Sequence, residues 1–232
     1  MSAIGIIGAM DVEIIGILAE MKNISTTTVA DINFHEGKLA DKDIVLARCG
    51  VGKVNAAMCT QAMVDKFEVQ GIINLGVAGA INNALNINDV VVSQSLVQHD
   101  FDVTPTGNPP GHIPALGVEI FADKDLAAAA IAACREVLGI ENNAYAGVIA
   151  TGDQFVADKD DKNRISRVFN AHCVEMEGAA IAQVCKYNQV PFVVIRAISD
   201  KADGSADMDF ETFVTAAAAN SSKIVTKLVE KL

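Results

Sequence analysis

The sequence predicts an α/β fold in three layers, α/β/α, with helices on both faces of a central mixed, mostly parallel sheet. Three observations lead there. Short apolar runs of strand length alternate with helical stretches along the chain. Hydrophobic residues make up 51% of the sequence but aromatics only 5%, with no Trp, so the core has to be built from Ala, Val, Ile and Leu, as closely packed α/β layers are. Nothing in the 232 residues resembles a linker, which predicts one domain over residues 1–232.

Taken in order, Ile4-Gly-Ile-Ile is the first buried strand, bounded by Gly8, and a helix is predicted over 11–22. Ile44-Val-Leu is the next strand, followed by a helix over 53–67. Ile72-Ile-Asn-Leu and Val90-Val-Val are further strands, each bounded by Gly, Asp or Pro. Residues 98–117 then break the pattern: they hold four of the five prolines and two of the four histidines, and are predicted to form a long loop, serving as a lid, a partner contact or a surface excursion. A helix over 123–138, a strand at Gly147-Val-Ile, an Ala-rich helix over 176–189, a strand at Phe192-Val-Val-Ile and a last helix over 209–231 complete the reading.

Charge and cysteine usage narrow the function classes. Eighteen basic against 29 acidic residues give a net charge of -11, which repels phosphate backbones and argues against nucleic-acid or anionic-membrane partners. Cys49, Cys59, Cys134, Cys173 and Cys185 are odd in number and scattered, without C-x-x-C spacing, so buried reduced thiols are expected rather than disulfides or a zinc site. The apolar stretch Ala3 to Met10 has no preceding Lys or Arg and is ended by Asp11, too short for a signal peptide or membrane span, so a cytoplasmic location is expected. His35, His99, His112 and His172 lack metal-ligand spacing; no metal and no cofactor are expected.

Several runs carry polar groups to places where an α/β sheet binds ligands. Gly5-Ile-Ile-Gly-Ala-Met-Asp-Val-Glu13 takes a strand through a Gly turn into a helix; Asp11 and Glu13 either cap that helix or face a site, and would oppose a phosphate. Cys49-Gly-Val-Gly-Lys53 lacks the spacing of a phosphate-binding P-loop, because Ala47 and Val54 stand where Gly and Ser or Thr are needed. Gly76-Val-Ala-Gly-Ala80 lets a backbone or ligand approach a strand end. Val174-Glu-Met-Glu177 sets two carboxylates two residues apart, so one can clamp vicinal hydroxyls, unless both are simply an acidic helix start. Phe192-Val-Val-Ile-Arg196-Ala-Ile-Ser-Asp200 carries charges on a hydrophobic strand, which costs several kcal/mol (roughly) per charge unless they are paired or used.

In this order the runs resemble the 5′-methylthioadenosine/S-adenosylhomocysteine nucleosidases of the nucleoside phosphorylase superfamily. The resemblance covers nearly the whole chain and also includes His99-Asp-x-Asp-Val-Thr104 and Gly152-Asp-x-Phe155. It implies a nucleoside phosphorylase-like fold and cleavage of an adenine nucleoside by water. Glu13 would activate the water and be largely ionised, Asp200 would protonate or hydrogen-bond adenine N7 with a raised pKa, and Ser199 would position Asp200. Glu177 would accept the ribose hydroxyls, Met176 would touch the sugar, Phe155 would stack on adenine and the Val156 backbone would read the base edge. Arg196 would orient the water or an acidic neighbour, and Met10, Ala78, Gly79 and Phe210 would line the pocket. The resemblance further implies a homodimer in which the 98–117 loop, through Val103, lies near the partner's site. Two positions depart from the pattern: Val77 stands where many relatives have Ser, and Thr104 to Asn108 lack the aromatics common at the mouth of the 5′ pocket.

Rival readings share parts of this pattern. A phosphorylase would need cations for phosphate, yet the first arginine is Arg48. An aminofutalosine hydrolase would use the same carboxylates on a bulkier 5′ group. A nucleoside-binding module would satisfy length and periodicity but leaves Glu13, Glu177 and Asp200 unexplained.

Overall fold

The computed structural model describes residues 3–140, 142–200 and 206–232, without the side chains of 206–212. Along the chain run β1 (Ile4–Gly8), α1 (Asp11–Glu20), β2 (Lys22–Val29), β3 (Ile32–Leu39), β4 (Lys42–Arg48), α2 (Lys53–Phe67), β5 (Gly71–Ala80) and β6 (Val90–Gln98). They are followed by β7 (Ile120–Phe121), α3 (Lys124–Leu138), β8 (Ala144–Thr151), α4 (Lys159–Phe169), β9 (Cys173–Glu175), α5 (Gly178–Asn188), β10 (Phe192–Asp200) and α6 (Ala206–Lys231).

The strands join one mixed sheet in the order β10-β6-β8-β9-β5-β1-β4-β3-β2, with β7 on the side of β6. Two parallel sets make up its centre: β4-β1-β5-β10 and β6-β8-β9. The antiparallel ladders β10–β6 and β5–β9 join the two sets, so that β5, β10, β6, β8 and β9 close into a ring. The rim of that ring gathers the ends of β5, β8, β9 and β10, and closure leaves no free edge there.

Helices cover both faces, as a three-layer fold requires. On one, Ala56, Cys59 and Met63 of α2 and Ala179 to Ala182 of α5 pack on Ile7, Ile72 and Val194; the small side chains of α5 let its backbone lie close. On the other, Ile14 and Ile17 of α1, Ala130 and Ala133 of α3 and Ile224, Val225 and Leu228 of α6 pack on Ile6, Ile73 and Ile195. All five cysteines are buried and unpaired, and burial pushes the Cys59 thiol up to about 12.

Several elements differ from the sequence reading. Helix α1 stops at Glu20, where Met21 turns extended (φ -68°, ψ 147°), rather than reaching 22. The hairpin β2–β3 was not predicted, because Lys22–Val29 is exposed along nearly its whole length and has no apolar run to signal a strand. Nor was α4: among its described residues only Lys162, Ile165 and Phe169 are buried. Its start is nevertheless written in the chain, since the Asp158 carboxylate accepts from the amides of Asp160 (2.8 Å) and Asp161 (3.1 Å). Within 98–117, a 3-10 turn at Thr104–Thr106 and a bridge between Ile113 and Gly117 give the loop local order.

Candidate active site

A cavity of about 180 Å³ opens at the rim of the strand ring and is lined by residues from six parts of the chain. Met10, Glu13, Ala78, Gly79, Phe155, Val156, Met176, Glu177, Ser199 and Asp200, all expected from the sequence, line it. Arg196 stands behind the lining. Val103 lies on the 98–117 loop and does not reach this cavity, and the Phe210 side chain lies outside the described residues.

Glu13 occupies the first turn of α1, and both sequence readings of it hold at once. Oε2 accepts the amides of Ala9 (2.6 Å) and Met10 (2.9 Å), closing the helix start, while Oε1 accepts the Val77 amide (3.1 Å) from β5. Burial pushes the Glu13 carboxyl above the ordinary carboxylate range, against the pull of Arg196 and the three amides.

Arg196, fully buried on β10, donates from Nη2 to Glu175 (2.5 Å) and to Asn74 Oδ1 (2.6 Å), with Glu177 4.0 Å away. Burial works against its charge, but Glu175, Glu177 and Glu13 outweigh that and hold the guanidinium above its ordinary value. Of the two tasks foreseen for Arg196, the acidic neighbours are the one with direct contacts. Glu175, quoted in a motif but given no role, is the keystone: besides Arg196 it accepts from the Thr151 hydroxyl and from the amides of Glu177 (3.1 Å) and Gly178 (2.7 Å). A carboxylate spent on that many donors is structural; Glu177 lines the cavity beside it with fewer donors.

Glu177 accepts the Gly52 amide at 2.8 Å. Burial, reinforced by Glu175, raises its carboxyl to about 7 despite Arg196 and that amide. The Gly50–Lys53 turn therefore offers its amides to carboxylates, not to phosphate: Lys53 N–H meets Asp153 at 2.7 Å, and Gly52, at φ +97°, holds the left-handed backbone that places both donors. Lys53 Nζ in turn binds Asp100 (2.7 Å), and Asp100 accepts the Asp153 amide (2.9 Å), so the His99-Asp and Gly152-Asp motifs brace each other beneath Phe155. Phe155 itself stands half exposed at the cavity.

Asp200 ends β10 beyond an irregularity: Ile198 pairs with Ala78 but Asp200 with Gly79, so Ser199 bulges. The Ser199 hydroxyl lies 3.0 Å from Asp200 Oδ1 and 3.4 Å from the Ala78 carbonyl. Lys162 Nζ, unforeseen in the sequence, lies 3.3 Å from Asp200 Oδ2. The signal for it was a lysine at i, i+3, i+7 spacing with Ile165 and Phe169, on the apolar face of α4.

Two glycines of β5 make room for the two carboxylates. A Cβ at Gly76 would come within 2.7 Å of Glu13 Oε1 and 3.2 Å of Arg196 Nη1; one at Gly79 would come within 2.7 Å of Asp200 Oδ2. The glycines lie three residues apart, about 10 Å along a strand, which is room for a pentose between two acidic groups.

Arg48 pairs with exposed Asp11 at 3.2 Å, and no Lys, Arg or His is among the described residues lining the cavity. Among the described residues no cluster of three or more His, Cys, Asp or Glu could hold a metal, and no helix is long and apolar enough to cross a membrane.

Comparison with known proteins agrees with this geometry. Residues 3–230 match the phosphorylase superfamily. The 5′-methylthioadenosine/S-adenosylhomocysteine nucleosidase of Staphylococcus haemolyticus is 41% identical over 231 residues, 99% of this chain and 100% of that protein. Among solved structures, the nucleosidase of the same name from Neisseria meningitidis, in complex with methylthio-immucillin-A, superposes with a TM-score of 0.95 at 39% identity and 100% of both chains. Futalosine hydrolase of Helicobacter pylori superposes with a TM-score of 0.94 at 38% identity, over 100% of this chain and 98% of that one. With its fold, its carboxylate-lined cavity and its full-length relatives in agreement, the chain belongs to the 5′-methylthioadenosine/S-adenosylhomocysteine nucleosidase family of the phosphorylase superfamily.

Proposed function

We propose that this protein hydrolyses the N-glycosidic bond of 5′-methylthioadenosine, S-adenosylhomocysteine and related 5′-substituted adenosines, releasing adenine and the free 5′-substituted ribose. The observation that carries the reading is a cavity with an amide-anchored carboxylate at Glu13, a second carboxylate at Asp200, and no cation among its described lining residues. Phosphorolysis would need a cation for phosphate; water needs only a base.

In this reading Glu13 takes a proton from water as the water oxygen bonds to C1′. The C1′–N9 bond breaks, the sugar passes through oxocarbenium character, and Asp200 delivers a proton to N7 of the departing adenine. A base whose carboxyl is raised by burial suits the task, because it retains the proton it takes. Glu177 accepts the ribose hydroxyls, with Met176 against the sugar; Phe155 stacks on the base and the Val156 backbone reads its edge. Met10, Ala78, Gly79 and Phe210 enclose the nucleoside, Ser199 aims Asp200, and Arg196 acts through Glu175 and Glu177.

The whole of residues 1–232 works as one nucleosidase domain, in the cytoplasm, as a homodimer. Val103 and the 98–117 loop serve the partner's cavity, consistent with Val103 standing away from its own.

A second reading, hydrolysis of an aminofutalosine-type substrate by the same carboxylates, is favoured by the similarity to futalosine hydrolase. Adenine release by the purified protein from 5′-methylthioadenosine, S-adenosylhomocysteine, 5′-deoxyadenosine and aminofutalosine, with and without phosphate, tests both. Phosphate-independent release is expected, and the ranking of the four separates the two readings. Release only with phosphate, or no release, would overturn the assignment.

A further inference from the structure

We infer that Lys162 is a positioning residue for the departing-base side of the reaction, holding Asp200 in place and balancing the negative charge that Asp200 acquires when its proton passes to adenine. The inference rests on the reading of Asp200 as the proton donor.

Lys162 is 1% exposed, on a helix whose other charged residues, Lys159, Asp160, Asp161, Arg164 and Arg167, all face outward. It shares the inner face of α4 with Ile165 and Phe169, which pack on Val156 and Val174 beneath the cavity. A buried ammonium needs oxygen partners, and its nitrogen lies 3.3 Å from Asp200 Oδ2. Lys162 does not line the cavity, so it acts on the nucleoside through Asp200.

The other titratable and charged groups around Asp200 are arranged differently. On β9, Cys173 lies within electrostatic reach of Asp200, its thiol held up by burial, and Glu175 is committed to Arg196. Arg196, on β10, is directed to Glu175, Asn74 and Glu177 rather than to Asp200. On β5 the approach to Asp200 is through Gly79, which carries no side chain. Lys201 and Asp203, next in the chain, lie outside the described residues. Lys162 is therefore the cation that the described residues direct at Asp200.

Its part in the reaction follows from the balance of charge. Neutral Asp200 gives its proton to N7 as the C1′–N9 bond breaks and the water oxygen bonds to C1′, with Glu13 taking the proton from water. Adenine leaves neutral, Asp200 is left as an anion, and the ammonium is already beside it. A cation at this distance favours the ionised carboxylate and makes Asp200 a stronger acid, at the expense of the pH range over which it keeps its proton.

The pH profile of kcat/KM for K162M, K162Q and K162R, beside D200N, tests this. Without the cation, Asp200 holds its proton longer, so the alkaline limb in K162M should move up by about one to three pH units. At the same time kcat below that limb should fall by about tenfold, because the donor is weaker. K162R should return both toward wild type, and K162Q, which keeps a polar atom toward Asp200, should behave as K162M does. An unmoved alkaline limb in K162M and K162Q, or a K162R no better than K162M, would overturn the role of the charge. Full activity in D200N would overturn the donor assignment itself and the inference with it, a failure recognisable because it appears with Lys162 intact.

Discussion

The two acidic corners of the cavity are built in opposite ways. Glu13 is fixed by backbone: three amides from the β1–α1 turn and from β5 hold its two oxygens. Among the described residues, Asp200 meets side chains: the Ser199 hydroxyl at one oxygen and the Lys162 ammonium at the other. Backbone donors cannot be substituted away and do not titrate, whereas a hydroxyl and an ammonium can be exchanged, moved or recharged. The Glu13 corner is thus held by groups that substitution cannot remove, and the Asp200 corner is where a few side chains can be changed.

The largest effects should come from the carboxylates themselves. E13Q and D200N should each lower kcat by about 10²- to 10⁴-fold, as expected for loss of a general base or acid, while a nucleoside still binds. They should part company in stability: a Gln at 13 turns an NH2 group toward backbone N–H donors that cannot change, whereas an Asn at 200 meets adaptable side chains. Equal melting temperatures for the two variants, measured by calorimetry, would break the contrast between the corners.

Next is Arg196, whose removal leaves Glu175 and Glu177 buried beside each other without a counter-charge. R196M should destabilise the fold by about 3–5 kcal/mol, read from urea unfolding; a loss under about 1 kcal/mol would mean that the carboxylates are not held by this cation. Smaller and sharper is the pair G76A and G79A. The added methyl at 76 meets both Glu13 and Arg196, while at 79 it meets Asp200 alone. G76A should cost about 1–3 kcal/mol of stability as well as activity, and G79A should cost activity, about 10²-fold for a displaced acid, with less change in stability. Equal stability losses would contradict the rigid-versus-adjustable distinction.

The smallest effect is a slope. Glu177 is raised from the ordinary 4.5 to about 7, so the folded chain holds a proton that the unfolded chain releases. That contribution is fully present below about 4.5 and is lost as pH rises through about 7, at most about 3 kcal/mol in all. E177Q should therefore gain stability relative to wild type as the pH rises from about 5 to about 8, while KM for nucleosides with both ribose hydroxyls increases. A stability difference that does not change with pH would remove Glu177 from the buried acidic group.

The same contrast explains what was legible in the sequence. Glu13, Arg196 and Asp200 were visible because charges stood at the ends of apolar runs, where an α/β sheet binds ligands. Helix capping and a place at a site were posed as alternatives for Glu13, yet one oxygen caps the helix and the other accepts the Val77 amide at the cavity, which no spacing argument could separate. Lys162 escaped because α4 is nearly all polar and its buried stripe is only three residues wide. The closure of β5, β10, β6, β8 and β9 into a ring depends on the antiparallel ladders β10–β6 and β5–β9, and periodicity fixes neither the partner nor the direction of a strand. Glu175 was hidden differently: its sequence neighbour Glu177 has the same chemistry, and only the contacts with Thr151, Arg196 and two amides tell them apart.

Protonation of the leaving base by Asp200 is the claim on which the rest depends, and a substrate that cannot be protonated there tests it most directly. Single-turnover cleavage of 5′-methylthioadenosine and of its analogue with carbon in place of N7 should be measured for wild type and D200N. Because both changes remove the same proton transfer, the account predicts that each alone slows cleavage by a similar large factor and that the two together slow it no further. Losses that multiply, or an analogue cleaved by wild type as fast as the parent nucleoside, would place the acid elsewhere.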